Sequence, residues 1–117
     1  MIEITLPFPP SVNTYWRKWN NRMVISEKGR AYREAVGDLM TMQGKVFHTE
    51  KPLRVVIEAY RPDKRKRDLD NLLKATFDSL AHAGVYVDDS QIVDLRIYWA
   101  KEIGGMLKIY LEEINGT

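Results

Sequence analysis

Residues 68–84, DLDNLLKATFDSLAHAG, contain the most regular apolar pattern in the chain. Apolar and small side chains recur there every three or four residues and form one face of a helix. That face consists of Leu69, Leu72, Leu73, Thr76, Phe77, Leu80 and Ala83. Gly84 follows it and is typical of the residue that ends a helix. The stretch therefore predicts an amphipathic helix with one buried face.

Alternating apolar and polar residues predict four β-strands around this helix. The strands lie at 1–6, 52–60, 92–99 and 106–112. A second helix is predicted from the N-cap residue Ser26 to Gly44. Gly104-Gly105 predicts a hairpin that joins the last two strands, and the alternation predicts that Val93 and Leu95 face inward. The order β-α-β-α-β-β favours an α+β fold, in which two helices pack on a mixed four-stranded sheet.

The size and composition of the chain limit the classes to which it can belong. A chain of 117 residues, 44% hydrophobic and 29% charged, is typical of a single globular domain, predicted here over 1–117. The sequence has no cysteine, which excludes disulfides, thiolate nucleophiles and cysteine-bound zinc and favours a cytoplasmic protein. No signal peptide is recognisable, and no apolar run approaches the roughly 18 residues of a membrane-spanning helix.

Charge is unevenly distributed along the chain, although the formal net charge is only +2. Residues 1–67 carry 14 Lys and Arg against 7 acidic residues, whereas residues 68–117 carry 4 against 9. The change falls within RPDKRKRDLDN at 61–71, where four consecutive basic residues precede two aspartates. The basic residues are Lys64, Arg65, Lys66 and Arg67. Since cations bind a phosphate backbone and carboxylates hold a metal ion, this combination favours a phosphodiester-cleaving site over a solvated loop.

A small set of charged residues around the predicted helix is suited to metal-dependent chemistry. Asp68 and Asp70 point the same way only if the helix begins at or after Asp70, which then takes the N-cap position. Lys74 lies one turn further, and the Asp88-Asp89 turn adds a carboxylate if it folds back over the helix start. Two or three carboxylates suffice to hold Mg²⁺. The alternatives are a helix cap, a simple turn, and a surface ion pair between the lysine and an aspartate four residues away.

Residues 11–25, SVNTYWRKWNNRMVI, show no regular period. Their aromatic residues are interleaved with cations, a mixture that suits unpaired or distorted nucleic acid because bases stack on rings and cations contact phosphates. The alternative is that one tryptophan fills the core and the rest is a solvated loop. We expect Trp16 or Trp19 to be buried, and Arg17 and Lys18 to lie outside.

The segment RKRDLDNLLKATFDSLAHAGVYVDDSQI at 65–92 resembles the signature of the RusA family of Holliday junction resolvases, small endonucleases often encoded by bacterial prophages. The likeness is specific because it combines the basic run, DLDN, the lysine four residues after the second aspartate, and the turn AGVYVDD. LPFPPSVNTYW, SEKGRAYRE and GGMLKIYLEE are similar to the same family in the same order. The resemblance therefore covers nearly the whole chain.

This resemblance implies specific residue roles. Asp68, Asp70 and Asp89 match the metal-binding acidic residues, Lys74 matches the catalytic lysine, and Arg67 matches a basic residue that handles DNA. The resemblance also implies an α+β homodimer that uses Mg²⁺, with Mn²⁺ as an alternative metal. Such a dimer nicks opposed strands of a four-way junction in DNA recombination and repair.

The candidate DNA-binding residues follow from charge. They are Lys64, Arg65, Lys66 and Arg67 in the basic run, with Arg17 and Lys18 in the aromatic segment. Two other functions remain open at this point. One is a module that binds branched DNA without cutting it, and the other is a metal-dependent nuclease that acts on RNA or linear DNA.

Overall fold

The computed structural model of the protein describes residues 1–115. Within these residues the strands are β1 (Ile2–Pro7), β2 (Trp16–Trp19), β3 (Arg22–Ile25), β4 (Leu53–Tyr60), β5 (Ile92–Trp99) and β6 (Met106–Glu113). The helices are α1 (Val12–Tyr15), α2 (Glu27–Met42) and α3 (Leu73–His82), and short 3-10 turns span Leu69–Leu72 and Asp89–Gln91. No helix in this part of the chain is long and apolar enough to cross a membrane.

The elements form two compact units. Within the described residues, the sheet unit consists of 1–8, 50–69 and 88–115, and it contains β1, β4, β5 and β6. The helix unit consists of residues 9–49 and 70–87, and it contains the three helices with β2 and β3. A single domain over 1–117 stays a prediction.

The sheet unit contains the predicted mixed sheet, whose strand order within the described residues is β1-β6-β4-β5. β6 runs antiparallel to both β1 and β4, whereas β5 runs parallel to β4. Alternate residues of β4 from Leu53 to Ala59 are buried, and so are their partners Leu107, Ile109 and Leu111 on β6. The α+β class and the mixed four-stranded sheet are confirmed.

The predicted hairpin between the last two strands is wrong, because β4 lies between β5 and β6. The connection crosses the end of β4, where the N–H groups of Gly104 and Gly105 donate to the carbonyls of Arg61 and Tyr60 at 2.9 and 3.1 Å. Gly105 has a φ of +69°, and a Cβ on Gly104 would lie only 3.2 Å from Cβ of Tyr60. The glycine pair therefore permits a close crossing instead of a two-residue turn.

Strand β5 also departs from the predicted burial. The alternation predicts that Val93 and Leu95 face inward, but their exposed fractions are 64% and 39%. Among residues 1–115, β5 has only β4 beside it, and the register of that pair shifts between Leu53 and Arg54. An edge strand has a neighbour on one side only, so its apolar side chains receive less cover than those of a central strand.

In the helix unit, α2 begins where the sequence predicts. The Ser26 hydroxyl accepts a hydrogen bond from the N–H of Gly29 at 3.0 Å and caps the helix. A Cβ on Gly29 would lie 2.5 Å from the carbonyl oxygen of Tyr15, so glycine is required for the close approach of α2 to this residue. Val36 and Met40 are fully buried on α2, which packs against α3.

Helix α3 is the helix predicted from residues 69–83, but it begins later than expected. Leu69–Leu72 form a 3-10 turn, and Leu72 rather than Asp70 takes the N-cap position of α3. The predicted N-cap at Asp70 is therefore wrong, because the tighter turn delays the first α-helical hydrogen bond. Gly84, with a φ of +83°, follows the helix end as predicted.

Residues 11–25 are more regular than their aperiodic sequence indicates. After α1, β2 and β3 form a two-residue hairpin in which Asn20 and Asn21 have φ values of 48° and 58°. The buried aromatic residue is Tyr15, whereas Trp16 is half-buried and Trp19 is 49% exposed. The expectation of a buried tryptophan is wrong, and the exposure of Arg17 and Lys18 is confirmed.

Candidate active site

The segment after β4 forms one side of an open, cation-rich cleft in the sheet unit. Its volume is about 540 Å³. The lining residues are Arg61, Asp63, Lys64, Arg65, Lys66, Arg67, Asp68, Lys101 and Ile103. Six of these nine residues are basic and two are acidic, which leaves a formal charge of +4 around the cleft. A concave surface with this charge attracts a phosphate backbone.

Asp63 organises two arginines of this cleft. Its carboxylate accepts from Nη1 of Arg67 at 2.7 Å, and from Nη2 and the backbone N–H of Arg65 at 3.1 and 2.9 Å. The Arg67 hydrogen bond, followed by those of Arg65, holds the pKa of Asp63 well below its usual range. Asp63 is therefore a fixed anion that orients the guanidinium groups, while Arg65 remains 82% exposed to a ligand.

Aromatic rings support the arginines at both ends of the segment. Arg61 lies over the ring of Trp99 at 4.2 Å, and Arg67 lies over the ring of Phe8 at 5.6 Å. The two rings stack on each other, with centroids 6.4 Å apart and planes 15° apart. A guanidinium group on a ring face keeps its edge donors available, so this stack holds two cations ready for phosphate oxygens.

Two of the predicted carboxylates belong to the sheet unit. Asp68 is exposed and lines the cleft, and Asp89 is exposed at the start of the second 3-10 turn. Neither carboxylate accepts a hydrogen bond or forms an ion pair within residues 1–115. Both carboxylates therefore have free oxygens for a hard cation.

Asp88 has a different role from Asp89. Its carboxylate accepts from the N–H of Ser90 at 3.0 Å, and its own N–H donates to Oε1 of Gln91 at 2.8 Å. These contacts form a capping box, and the hydrogen bond from Ser90 lowers the pKa of Asp88. The structure therefore assigns the first residue of the Asp-Asp pair to capping and leaves the second available.

The other two predicted residues belong to the helix unit. Asp70 is exposed in the 3-10 turn, and Lys74 is exposed in the first turn of α3. Nζ of Lys74 lies 5.6 Å from the ring centroid of Trp16. Within residues 1–115 Lys74 forms no ion pair shorter than 4.0 Å, so the alternative of a surface pair with Asp70 or Asp78 is not realised. The ring of Trp16 leaves the ammonium group free to meet an anion.

Asp78 instead belongs to a half-buried network between the helices. Nη2 of Arg33 donates to it at 2.7 Å, and the hydroxyl of Tyr15 donates to the same oxygen. Burial raises the pKa of Asp78, but the hydrogen bonds from Tyr15 and Arg33 outweigh burial and lower it overall. The network therefore ties α2 and α3 to the buried ring of Tyr15.

The aromatic segment presents a second basic surface. Arg17 lines an open pocket of about 530 Å³ in the helix unit, together with Thr14, Ser26, Glu27 and Lys28. Lys18 is exposed on the adjacent position of β2. Both cations are accessible to a phosphate backbone, as the sequence predicts.

No group of three or more His, Cys, Asp or Glu side chains within residues 1–115 is arranged to hold a metal ion. The donor chemistry nevertheless suits Mg²⁺, because the exposed residues Asp68, Asp70 and Asp89 supply hard carboxylate oxygens. Metal binding by these three residues stays a prediction.

Comparison with known proteins places the chain in a family. A sequence model described as "Endodeoxyribonuclease RusA" matches residues 7–112. The crossover junction endodeoxyribonuclease rusA of Enterobacteria phage HK97 is 42% identical over 116 residues, which cover 98% of this chain and 97% of that protein. The chain belongs to the RusA family. The protein of the same name from Enterobacteria phage 82 is 42% identical over 114 residues, and the one from Escherichia coli (strain K12) is 41% identical over 114 residues. In both cases the match covers 97% of this chain and 95% of the relative.

Two cations of this RusA-family cleft are missing from the residues selected by sequence. Arg61 lies three residues before the basic run, and its position over Trp99 has no sequence signal. Lys101 belongs to the connection between β5 and β6, and the chain crossing over β4 brings it to the cleft. The acid next to the run, Asp63, was recognisable as a neighbour of the arginines but not as their orienting group.

Proposed function

We propose that this RusA-family endodeoxyribonuclease resolves four-way DNA junctions by Mg²⁺-dependent hydrolysis of phosphodiester bonds, with one incision made by each subunit of a homodimer. The observation that carries the proposal is the cleft of the sheet unit, in which six cations surround the exposed carboxylate of Asp68. A surface with this composition binds a phosphate and keeps a metal-ligating oxygen beside it.

The basic residues of the cleft bind the DNA backbone in this proposal. Lys64 and Lys66 are exposed and supply mobile ammonium groups, whereas Arg65 and Arg67 are oriented by Asp63 and offer fixed donors. Arg17 and Lys18, which are exposed on β2 of the helix unit, would also bind phosphates. These contacts bind the phosphates of DNA of any base sequence, so they contribute affinity and register rather than base recognition.

Asp68, Asp70 and Asp89 would hold the divalent metal ion, Mg²⁺ or in its place Mn²⁺. When bound, the ion supplies Lewis-acid polarisation of the scissile phosphate and lowers the pKa of a water molecule that attacks it. The exposed, unpaired state of each carboxylate within residues 1–115 supports this assignment. Asp88 is excluded from the ligand set of the proposal because its carboxylate caps the second 3-10 turn.

Lys74 would stabilise the negative charge that develops on the phosphoryl oxygens or on the leaving oxygen. Lys74 lies in the first turn of α3, and its ammonium group lies over the ring of Trp16. The ring restricts the movement of the ammonium group but does not neutralise its charge. A preorganised cation of this kind stabilises the transition state more than the ground state.

The dimer follows from the geometry of the substrate, since a four-way junction presents two scissile strands and each chain carries one set of candidate residues. A cytoplasmic location and a role in DNA recombination and repair complete the proposal. The cytoplasmic location agrees with a chain that lacks cysteine.

The proposal is tested by incubating the purified protein with a labelled four-way junction, a linear duplex of the same sequence, and an RNA duplex. We expect paired cuts in the junction with Mg²⁺ or Mn²⁺, no cuts with a chelator, and junction binding in both conditions. The variant Asp70→Asn should retain binding and lose cleavage. Binding without cleavage at any metal concentration would indicate a non-catalytic module, and preferred cleavage of RNA or linear DNA would indicate a different nuclease.

A further inference from the structure

The most exposed apolar side chains of the sheet unit's strands lie on β5. Val93 is 64% and Leu95 39% exposed, whereas the apolar residues at alternate positions of β4 and β6 are buried. Natural edge strands are usually protected by charged side chains, proline or a bulge. The register of β5 against β4 shifts beside Val93, and from Asp94 to Trp99 the strand is regular, without proline or lysine, whereas β1 at the other edge ends at Pro7. The charges of this regular stretch, Asp94 and Arg96, are of opposite sign, so they suit a second strand that brings the complementary charges.

The backbone of β5 can accept such a strand. The N–H of Ala100, next to the strand, donates to the carbonyl of Ala59 on β4 at 2.8 Å. The N–H and C=O groups of successive residues in a strand point alternately to its two neighbouring sides. Those of Arg96 and Tyr98, like the N–H of Ala100, therefore point toward β4. Leu95 and Ile97 therefore direct their N–H and C=O groups away from β4, toward the open side of the sheet.

The side chains of β5 are complementary to β5 itself. Around Leu95 the sequence reads Val93-Asp94-Leu95-Arg96-Ile97, with an acid and a base at equal distances on either side of the centre. If a second copy runs antiparallel with Leu95 opposite Leu95, Asp94 of each chain lies opposite Arg96 of the other. Leu95 and Ile97 then belong to hydrogen-bonded pairs, as the backbone direction requires.

This register uses both charged residues of β5, Asp94 and Arg96. They occupy non-hydrogen-bonded positions, where opposed Cα atoms are closest at about 4.5 Å and side-chain pairs interact most strongly. Asp94 is held by Arg54 at 2.8 Å and is half-exposed, so it keeps room for a second guanidinium group. A register centred on Arg96 would instead oppose two guanidinium groups.

We propose that β5 is the dimer interface, through which two copies of this chain pair antiparallel about Leu95 and join their sheets edge to edge. In this register Leu95 lies opposite Leu95 of the second copy, and Val93 lies opposite Ile97. The inference rests on the proposed function for its requirement of two copies, but it identifies the surface independently from the edge, the exposure and the charge pattern.

Two charge reversals test the interface. Asp94→Arg and Arg96→Asp each place like charges opposite one another in a homodimer, so each alone should raise the dimer dissociation constant roughly tenfold or more. In an equimolar mixture the carboxylates of one variant face the guanidinium groups of the other, and dimer affinity should return to near the wild-type value. Sedimentation equilibrium distinguishes the 13.6 kDa chain from a dimer of about twice that mass. Thr5→Arg and Thr5→Asp on β1 are matched controls and should leave the dimer unchanged.

Three results would overturn the proposal: a wild-type protein that stays monomeric, two variants that dimerise like the wild type, or a weakened dimer that mixing does not restore. Amide exchange of the wild type provides a test without substitutions. The amides of Leu95 and Ile97 should exchange more slowly as protein concentration rises, and rates independent of concentration would contradict the pairing. All these measurements are made without DNA. A different dimer surface would therefore leave the proposed nuclease function standing, whereas a β5-paired dimer that cuts no junction would contradict that function alone.

Discussion

Arg67 donates a hydrogen bond from Nη1 to Oδ1 of Asp63 at 2.7 Å, and the same carboxylate accepts a hydrogen bond from Nη2 of Arg65 at 3.1 Å. The acid that precedes the basic run therefore determines how two of its cations are presented. Because both arginines are arranged by a group on their own segment, the cleft keeps its donor geometry before DNA arrives. Lower reorganisation on binding is the physical benefit of such an arrangement.

The Asp63 contacts predict a specific dependence of stability on pH. Since the pKa of Asp63 is lowered by Arg67 and Arg65, its ionised form stabilises the folded state above about pH 3.9, the usual value for aspartate. This contribution is lost as pH falls through the lowered folded-state pKa. Asp63→Asn should therefore lose less stability than the wild type between about pH 4 and pH 2. Urea unfolding at several pH values measures this difference, and parallel acid profiles of the two proteins would contradict it.

Lys64 and Lys66 are predicted to control the salt dependence of DNA binding. Both are exposed and make no ion pair within residues 1–115, so each is free to neutralise one phosphate. The double variant Lys64→Gln and Lys66→Gln should reduce the slope of log K against log salt by about 1.8, at roughly 0.9 for each contact. Fluorescence anisotropy with a labelled junction from low to high salt gives the slope. Lys108→Gln, on the sheet, is the control and should leave it unchanged.

The Asp88-Asp89 pair allows the capping role to be separated from the metal-binding role. Asn is an effective N-cap, so Asp88→Asn should preserve the turn and cleave junctions at close to the wild-type rate. Asp89→Asn removes a free carboxylate and should reduce cleavage roughly 100-fold or more while junction binding persists. Single-turnover cleavage with saturating Mg²⁺ measures both. A larger loss in the Asp88 variant than in the Asp89 variant would reverse the assignment.

The hydroxyl of Tyr15 is predicted to stabilise the helix unit through Asp78. Tyr15→Phe removes one of the two donors to this carboxylate and should cost about 1 kcal/mol of unfolding free energy. The pKa of Asp78 should then rise toward its value in the unfolded chain, so the variant should lose less stability than the wild type as the pH falls below about 3.9. Thermal unfolding at neutral and acidic pH measures both effects. Tyr110→Phe serves as the control, and equal stability of both variants would show that the Tyr15 contact contributes nothing.

Local sequence patterns determined those elements whose stabilising contacts lie close together in the chain. Ser26 caps α2 through Gly29, only three residues away, and Gly84 ends α3 with a positive φ. The same locality made the basic run and its adjoining aspartates recognisable, because charge density is a property of consecutive residues. The hairpin at Asn20-Asn21 also had a local signal, two residues that tolerate positive φ, but the aromatic residues around it obscured that signal.

Only the tertiary structure decided which strands are neighbours and which cations share a cleft. Gly104-Gly105 has the composition of a hairpin turn, yet β4 is inserted between β5 and β6, because strand order depends on long-range pairing that a glycine pair does not encode. The same insertion carries Lys101 to the cleft and leaves β5 at the edge, where Val93 and Leu95 are exposed despite their alternation. Alternation specifies which side chains share a face, but the number of neighbouring strands determines how much of that face is covered.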